Sequence, residues 1–383
     1  MSTHDNQPST RAEYLWTVPV RGDGRQPRAE RWNRGDWNPG EQRAFRPVFR
    51  DERADRFGPF DHVSAVGRAA DVAGFDGVVV PYDPAGEESW ITAGGLLRES
   101  RWLRVGPQFH AGFATPVYAA KVSVTLQRFV SGRLDWHPVV ETDDEVQRAQ
   151  GDFVSGPDRY ARADEFLTVA KGVWHEESFT YEGRFHQVVA GGFTGPLAGV
   201  PFPRVYLSGE SDAALELSGK HADVHLFPLS ADPADLARRV TRLAEAADRH
   251  GRHVSVGLRV PVLVREDAGE AYEELLAPTA RTAVASPEPP HGDGGLWSGF
   301  DALGHRDALG LVGSYDAVAD LLTDYRNALG VTHFIVSARP AVEEAYRFGE
   351  HVLPRLRASE ASGERPRRVA PPQSPRRAAE ADA

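Results

Sequence analysis

The 383-residue chain contains no cysteine. That excludes disulfides, thiolate zinc sites, iron–sulfur clusters and cysteine nucleophiles. Lysine is nearly absent as well: Lys121, Lys171 and Lys220 are the only ones, and arginine supplies the other basic groups. Positive charge is in deficit, with 44 Lys+Arg against 55 Asp+Glu, a formal net charge of −11. A nucleic-acid partner is therefore not expected, because phosphate affinity needs a basic face. No apolar run approaches the roughly 18 residues that would span a bilayer. The opening MSTHDNQPSTRAEY lacks the apolar core of a secretory signal, so a cytoplasmic location is expected. There is no G-x-G-x-x-G between a strand and a helix; the GDG of Gly22–Gly24 runs into RQP. A built-in nicotinamide-binding domain is not expected. Nor is there a G-x-S-x-G elbow for serine hydrolysis. The histidines are scattered, and His175-Glu176-Glu177 has no second His at a metal-binding spacing, so no metal site is expected.

What is present is ordinary globular material, 41% hydrophobic and 26% charged, enough for a large core. Short apolar runs occur at Tyr14–Val20, Gly77–Pro81, Arg104–Phe109, Arg133–Val140, Arg204–Leu207, Val224–Phe227, Ser255–Val264 and His333–Ser337. Between them lie amphipathic stretches, among them His62–Ala73, Pro116–Phe129, Tyr160–Trp174, Ser211–His221, Pro233–His250, Tyr315–Leu329 and Val342–Leu356. Runs that are apolar on both faces suit strands of a parallel sheet covered by helices. Eight such units in a β-then-α rhythm predict an α/β fold, a (β/α)₈ TIM-like barrel; an open doubly wound sheet is the alternative. The rhythm predicts one domain over residues 13–358, flanked by loose ends at 1–12 and 359–383. The closing PRRVAPPQSPRRAAEADA is Pro/Arg/Ala-rich without an apolar period.

Three segments interrupt the rhythm, near 25–59, 141–159 and 278–311. In a barrel they follow strands and form lid-like insertions at the C-terminal face, where active sites sit. Phe179–Val188 (FTYEGRFHQV) alternates around Glu182-Gly183 and reads as a β-hairpin.

Several stretches carry a resemblance: RYARADEFLTVAKGVW, FTYEGRFHQV, PRVYLSGESDAALELSGKHADVHL, and GLVGSYDAVADLLTDYRNALGVTHFIVSARPAVEEAYRFGEHVLPRL. In this order and spacing they resemble the bacterial luciferase-like flavin monooxygenases over roughly residues 14–357. YLWTVPVRGDG, GLRVPVLVRE and LWSGF are most similar to the alkanesulfonate monooxygenase branch. The resemblance implies a barrel that binds reduced FMN, which with O₂ forms a flavin (hydro)peroxide and oxygenates a small organic substrate such as a sulfonate or a specialised metabolite. It implies that a separate NAD(P)H-dependent flavin reductase delivers FMNH₂, and that the protein is a homodimer or homotetramer. Two alternatives stay open: a deazaflavin-dependent oxidoreductase of the same superfamily, and a non-catalytic flavin-binding partner subunit.

The resemblance also implies site residues. Ser208, Gly209, Glu210 and Ser211, between a strand and a helix start, match the FMN phosphate turn, since small residues let backbone N–H groups approach an anion. Glu210 departs from that pattern, and plain helix capping by Ser211 remains open. Arg159 and Tyr160 match a phosphate-side motif, or else a helix-start salt bridge. Gln108, His110 and His137 lie at strand ends that would face cofactor or substrate. Arg259 matches an arginine beside the oxygen adduct, with a core ion pair as its alternative. Arg306 lies in the loop that closes over the flavin. Trp16, Arg21, Arg339 and His110 are expected around the substrate. The sulfonate enzymes carry His, Cys and Tyr where this chain has Pro261, the Gly86 region and Arg339, and a His where it has Arg21. An anionic substrate held by Arg21, Arg259 and Arg339 is the expectation that follows.

Overall fold

The computed structural model describes residues 11–20, 59–282, 290 and 292–362. The chain runs β1 (Glu13–Thr17), α1 (Pro59–Ala73), β2 (Gly77–Val80), α2 (Ser89–Glu99), β3 (Arg104–His110), α3 (Pro116–Phe129) and β4 (Asp135–Val139). It continues through α4 (Asp144–Ala149), α5 (Pro157–His175), β5 (Phe179–Glu182), β6 (Gln187–Gly191), β7 (Arg204–Ser208), α6 (Asp212–His221), β8 (Val224–Pro228) and α7 (Pro233–Arg249). The last part holds β9 (Ser255–Arg265), α8 (Ala268–Thr282), β10 (Gly294–Trp297), β11 (Gly310–Ser314), α9 (Tyr315–Leu329), β12 (Val331–Ser337), α10 (Ala341–His351) and α11 (Leu353–Ser362).

Eight parallel strands, in the order β1-β2-β3-β4-β7-β8-β9-β12, close because β12 pairs with β1. This is the (β/α)₈ barrel, and each of the eight apolar runs supplies one strand. The open-sheet alternative is excluded by the Glu13↔His333 and Ser255↔Val224 registers that complete the ring. Helix starts carry local signals. Thr115, Ser211 and Ser314 cap α3, α6 and α9 through side-chain oxygens that accept backbone N–H bonds, and Pro116, Pro157 and Pro233 occupy first turns.

Alternation along each strand sorts side chains into two cores. Leu15, Val79, Tyr206, Val224, Leu226 and Ile335 fill the barrel interior. Their neighbours Tyr14, Trp16, Val78, Trp136, Phe227 and Phe334 point outward under the helices. Trp136 meets Phe109, Phe166 and Phe202 there at 5.1–6.1 Å between centroids.

Two of the insertions, in their described residues, are more structured than composition suggests. The 141–159 segment contains α4 and the first residues of α5. Within 278–311, α8 runs to Thr282, and β10 pairs antiparallel with β11, which extends the long β9 in parallel beyond the barrel. Residues 25–58 of the first insertion lie outside the described residues, as do residues 1–10, 21–24 and 363–383. Ala12 is buried, and α11 continues to Ser362. The expected hairpin is β5–β6, with Glu182 opposite Gln187. Its turn is held against α5, where Glu165 accepts the N–H groups of Arg184, Phe185 and His186 at 2.7–2.9 Å.

Candidate active site

The C-terminal mouth of the barrel is crossed by the loop between β10 and β11. Three consecutive residues of this loop fasten it to three different strands. His305 Nδ1 pairs with Ser337 Oγ of β12 at 3.0 Å. Arg306 donates to Gln108 Oε1 of β3 at 3.3 Å. Asp307 receives a two-pronged bond from Arg259 of β9, with both contacts at 2.9 Å. Arg339, just past β12, donates to the Gly304 carbonyl at 2.8 Å and holds the loop from a fourth side. Asp307 is 48 residues from Arg259, so the sequence gives no local sign of the pair.

Gln108 Oε1 also accepts the Tyr82 backbone N–H at 3.3 Å. Both partners are donors, which identifies the carbonyl end and leaves the NH₂ end to donate elsewhere. Arg306 is solvent-exposed. Desolvation and the neighbouring Arg259 both lower its pKa. Burial brings the His305 pKa down to about 3, with Arg339 acting in the same direction, so the latch uses a neutral imidazole.

Two further groups near the mouth have unused polar atoms. His110 is buried at 3% exposure, and its Nδ1 accepts the Gly112 N–H at 3.1 Å. Burial lowers its pKa to about 4; Asp152 opposes that shift and Arg162 assists it. The neutral ring therefore carries its proton on Nε2, which has no partner among the described residues. The Tyr82 hydroxyl, also buried, has none either. Tyr82 and His110 lie with ring centroids 6.1 Å apart.

His137 sits deeper, in the barrel's middle layer beside Gly106 and stacked on Tyr206 at 4.2 Å. A Cβ at position 106 would fall 2.6 Å from His137 Nε2, so this glycine makes room for the ring. Burial drives the His137 pKa to about 3, and neither ring nitrogen has a partner among the described residues.

The turn after β7 comes together with residues from the β4–α5 segment. Gly209, at φ +133°, brings the turn close to Ala214, where any Cβ would clash at 2.6 Å. Ser211 caps α6. Tyr160 Oη lies 3.1 Å from Ser211 Oγ and donates to Glu141, and Ser211 Oγ lies 3.4 Å from the same carboxylate. Glu210 turns away and pairs with Arg239 of α7. His225 of β8 holds the turn from below. Its Nε2–H donates to the Gly209 carbonyl at 3.0 Å, and its Nδ1 accepts from Ser218 Oγ at 2.7 Å. Burial keeps His225 neutral, with a pKa of about 4.

Two expected site residues are placed elsewhere. Trp16 is fully buried between β1 and the helices; its indole N–H donates to the Ala341 carbonyl at 3.1 Å, and it packs on Phe75 and Phe348. It cannot line a substrate pocket inside the barrel, because odd and even positions of β1 face opposite ways. Arg159 is engaged with Asp144 and with the carbonyls of Thr142 and Val154 at 3.1 and 3.2 Å, bracing the segment that carries Glu141. Arg21 lies outside the described residues. Sequence reasoning missed Asp307, Glu141, His225 and Tyr82. Their positions beside Arg306, at the end of β4, on β8 and after β2 were the available signal. No group of metal-ligating side chains occurs among the described residues, and no described helix is long and apolar enough to cross a membrane.

Solved structures with the same fold include a riboflavin lyase with modified FMN and substrate riboflavin. It has 17% identity and a TM-score of 0.66, with 94% of each chain covered. EDTA monooxygenase from Chelativorans sp. BNC1 has 18% identity and a TM-score of 0.68, covering 91% of this chain and 94% of that one. An F420-dependent secondary alcohol dehydrogenase has 13% identity and a TM-score of 0.62, covering 90% of this chain and 99% of that one. At these identities the likeness establishes the fold. The luciferase-like monooxygenase family model matches residues 42–333, and the chain belongs to that family.

Proposed function

We propose that this protein is a monooxygenase that uses a reduced flavin, FMN or its unphosphorylated form, and O₂ on a small organic substrate, with the reduced flavin supplied by a separate NAD(P)H-dependent flavin reductase. The observation that carries this reading is the loop fastened by His305, Arg306 and Asp307 across a mouth lined by Gln108, Tyr82, His110 and Arg259. Reduced flavin supplies the electrons that activate O₂. The chain's part is to hold the ring, exclude water and place charge.

The buried Tyr82 hydroxyl and His110 Nε2–H, both unpartnered among the described residues, fit a polar ring edge, and the NH₂ end of Gln108 is a donor at the same mouth. Arg259 presents a guanidinium at the same mouth, suited to an anionic oxygen or to a sulfonate, carboxylate or phosphate on the substrate. Asp307 holds that guanidinium in place, and an incoming anion must compete with it. The fit is weaker at the cofactor's tail, where Glu141 meets Tyr160 and Ser211. A homodimer or homotetramer belongs to the same proposal and is checked by light scattering.

The test is anaerobic titration with photoreduced FMN and photoreduced riboflavin, followed by oxygen uptake. Saturable binding, with oxygen consumed in proportion to bound reduced flavin, is expected. Binding of a reduced deazaflavin with no response to O₂ would replace this reading with hydride transfer. Binding of neither would favour a partner subunit.

A further inference from the structure

The turn that the family resemblance assigns to a phosphate already holds a negative charge. Glu141, at the end of β4, accepts a hydrogen bond from the Tyr160 hydroxyl, and its carboxylate lies 3.4 Å from Ser211 Oγ. A Cβ built on Gly209 would come within 3.8 Å of Glu141 Oε2, so the carboxylate stands directly over the turn. The arginines flanking the turn do not offset it. Arg159 is joined to Asp144, Arg239 to Glu210 and Arg242 to Asp212. A phosphate monoester is close to a dianion above its second pKa near 6. It would enter beside a carboxylate without an uncommitted cation among these three. A terminal hydroxyl, by contrast, can donate to Glu141 and accept from Ser211 or Tyr160.

We infer that Glu141 sets the tail selectivity of the flavin site, disfavouring a phosphate dianion and accepting the hydroxyl end of an unphosphorylated flavin. This rests on the flavin reading above. Glu141 is solvent-exposed, and its removal leaves no buried group unpaired, so Glu141→Gln and Glu141→Ser should fold. The bracing of Arg159 and the capping of α6 by Ser211 do not depend on it.

The experiment is anaerobic titration of the full chain and both variants with photoreduced riboflavin and photoreduced FMN at pH 8. The wild type should bind reduced riboflavin at least as tightly as reduced FMN. Glu141→Gln should tighten FMN by about tenfold or more, the scale of removing one charge near a partly solvated dianion. Riboflavin binding should stay within about threefold or weaken. A wild-type preference for FMN of tenfold or more, unchanged in both variants, would overturn this inference and leave the flavin reading standing. Failure of both flavins to bind any of the three proteins would overturn the flavin reading, and this inference with it.

Discussion

The two ends of the barrel hold their charges in different ways. At the N-terminal end, Arg204 bonds both oxygens of Glu13 at 2.7 and 2.8 Å and both of Asp135 at 3.2 Å, and Arg104 bonds the same Asp135 from the other side. Each of these residues lies on a barrel strand, so none can leave without unfolding the sheet. Burial would raise the Asp135 pKa, but Arg204 and Arg104 outweigh it and hold the carboxyl at about 2. At the C-terminal end the pairs join a strand or helix to a loop: Arg259 to Asp307, Gln108 to Arg306, Tyr160 to Glu141. Such pairs can exchange partners while the barrel stays folded. The first arrangement suits stability and the second suits the binding role proposed above, in line with the fold's division of labour.

The largest effect is expected at Asp135. Asp135→Asn leaves two guanidiniums facing a neutral amide in a fully buried position. It should cost about 3 kcal/mol or more in denaturant unfolding. Flavin affinity per folded molecule should stay unchanged. A normal unfolding midpoint would contradict the assignment of this end to stability.

Acid titration sharpens the same point. His137, His225 and His333 are neutral in the fold, with burial lowering their pKa values to between about 3 and about 4. Their unfolded counterparts bind protons below about 6.5, so stability is full above that pH and falls as acid is added. Asp135 adds its own loss as pH drops from about 4 through about 2. In Asp135→Asn the slope in that lower window should flatten while the slope below about 6.5 persists.

At the other end the expected losses are in activity. Replacing the pair together, as Arg259→Gln with Asp307→Asn, should lower turnover about 100-fold. Because no charge is left unpaired, stability should move by no more than about 1 kcal/mol. A large stability loss with intact turnover would reverse the roles assigned to the two ends. The smallest effect is expected from Ser218→Ala, which removes the bond that fixes the His225 tautomer under Gly209. Reduced-flavin affinity should weaken about threefold to tenfold, the scale of one buried hydrogen bond. An unchanged affinity would remove His225 from the positioning role.

Much of the scaffold was legible in the sequence because its signals are local. The barrel strands are short and apolar, and helix starts are marked by Ser211 or Pro233. The hairpin at Glu182-Gly183 alternates as hairpins do. Which way a strand residue faces was less legible, since β1 is buried on both sides and period-2 patterning vanishes there. That is why Trp16 reads as a pocket residue and proves to be a helix-packing one. The pairings of charges were not legible at all. Glu210 stood out as the carboxylate in the turn, but Arg239 of α7 draws it away, and Glu141 from a distant strand end takes its place. Likewise nothing near Arg259 in the sequence announces Asp307. Long-range ion pairs are set by the closed barrel, and the barrel is visible in the sequence only as a rhythm.

The most direct test of the account is stopped-flow reoxidation of the reduced-flavin complex, comparing wild type with Asp307→Asn. If the fastened loop shields the site, oxygen-driven reoxidation in the wild type should show a lag that is absent from free reduced flavin, and the variant should shorten that lag several-fold while still binding flavin. A lag of equal length in both proteins, or no lag in the wild type, would contradict the claim that the His305–Asp307 latch closes a flavin site at the mouth of the barrel.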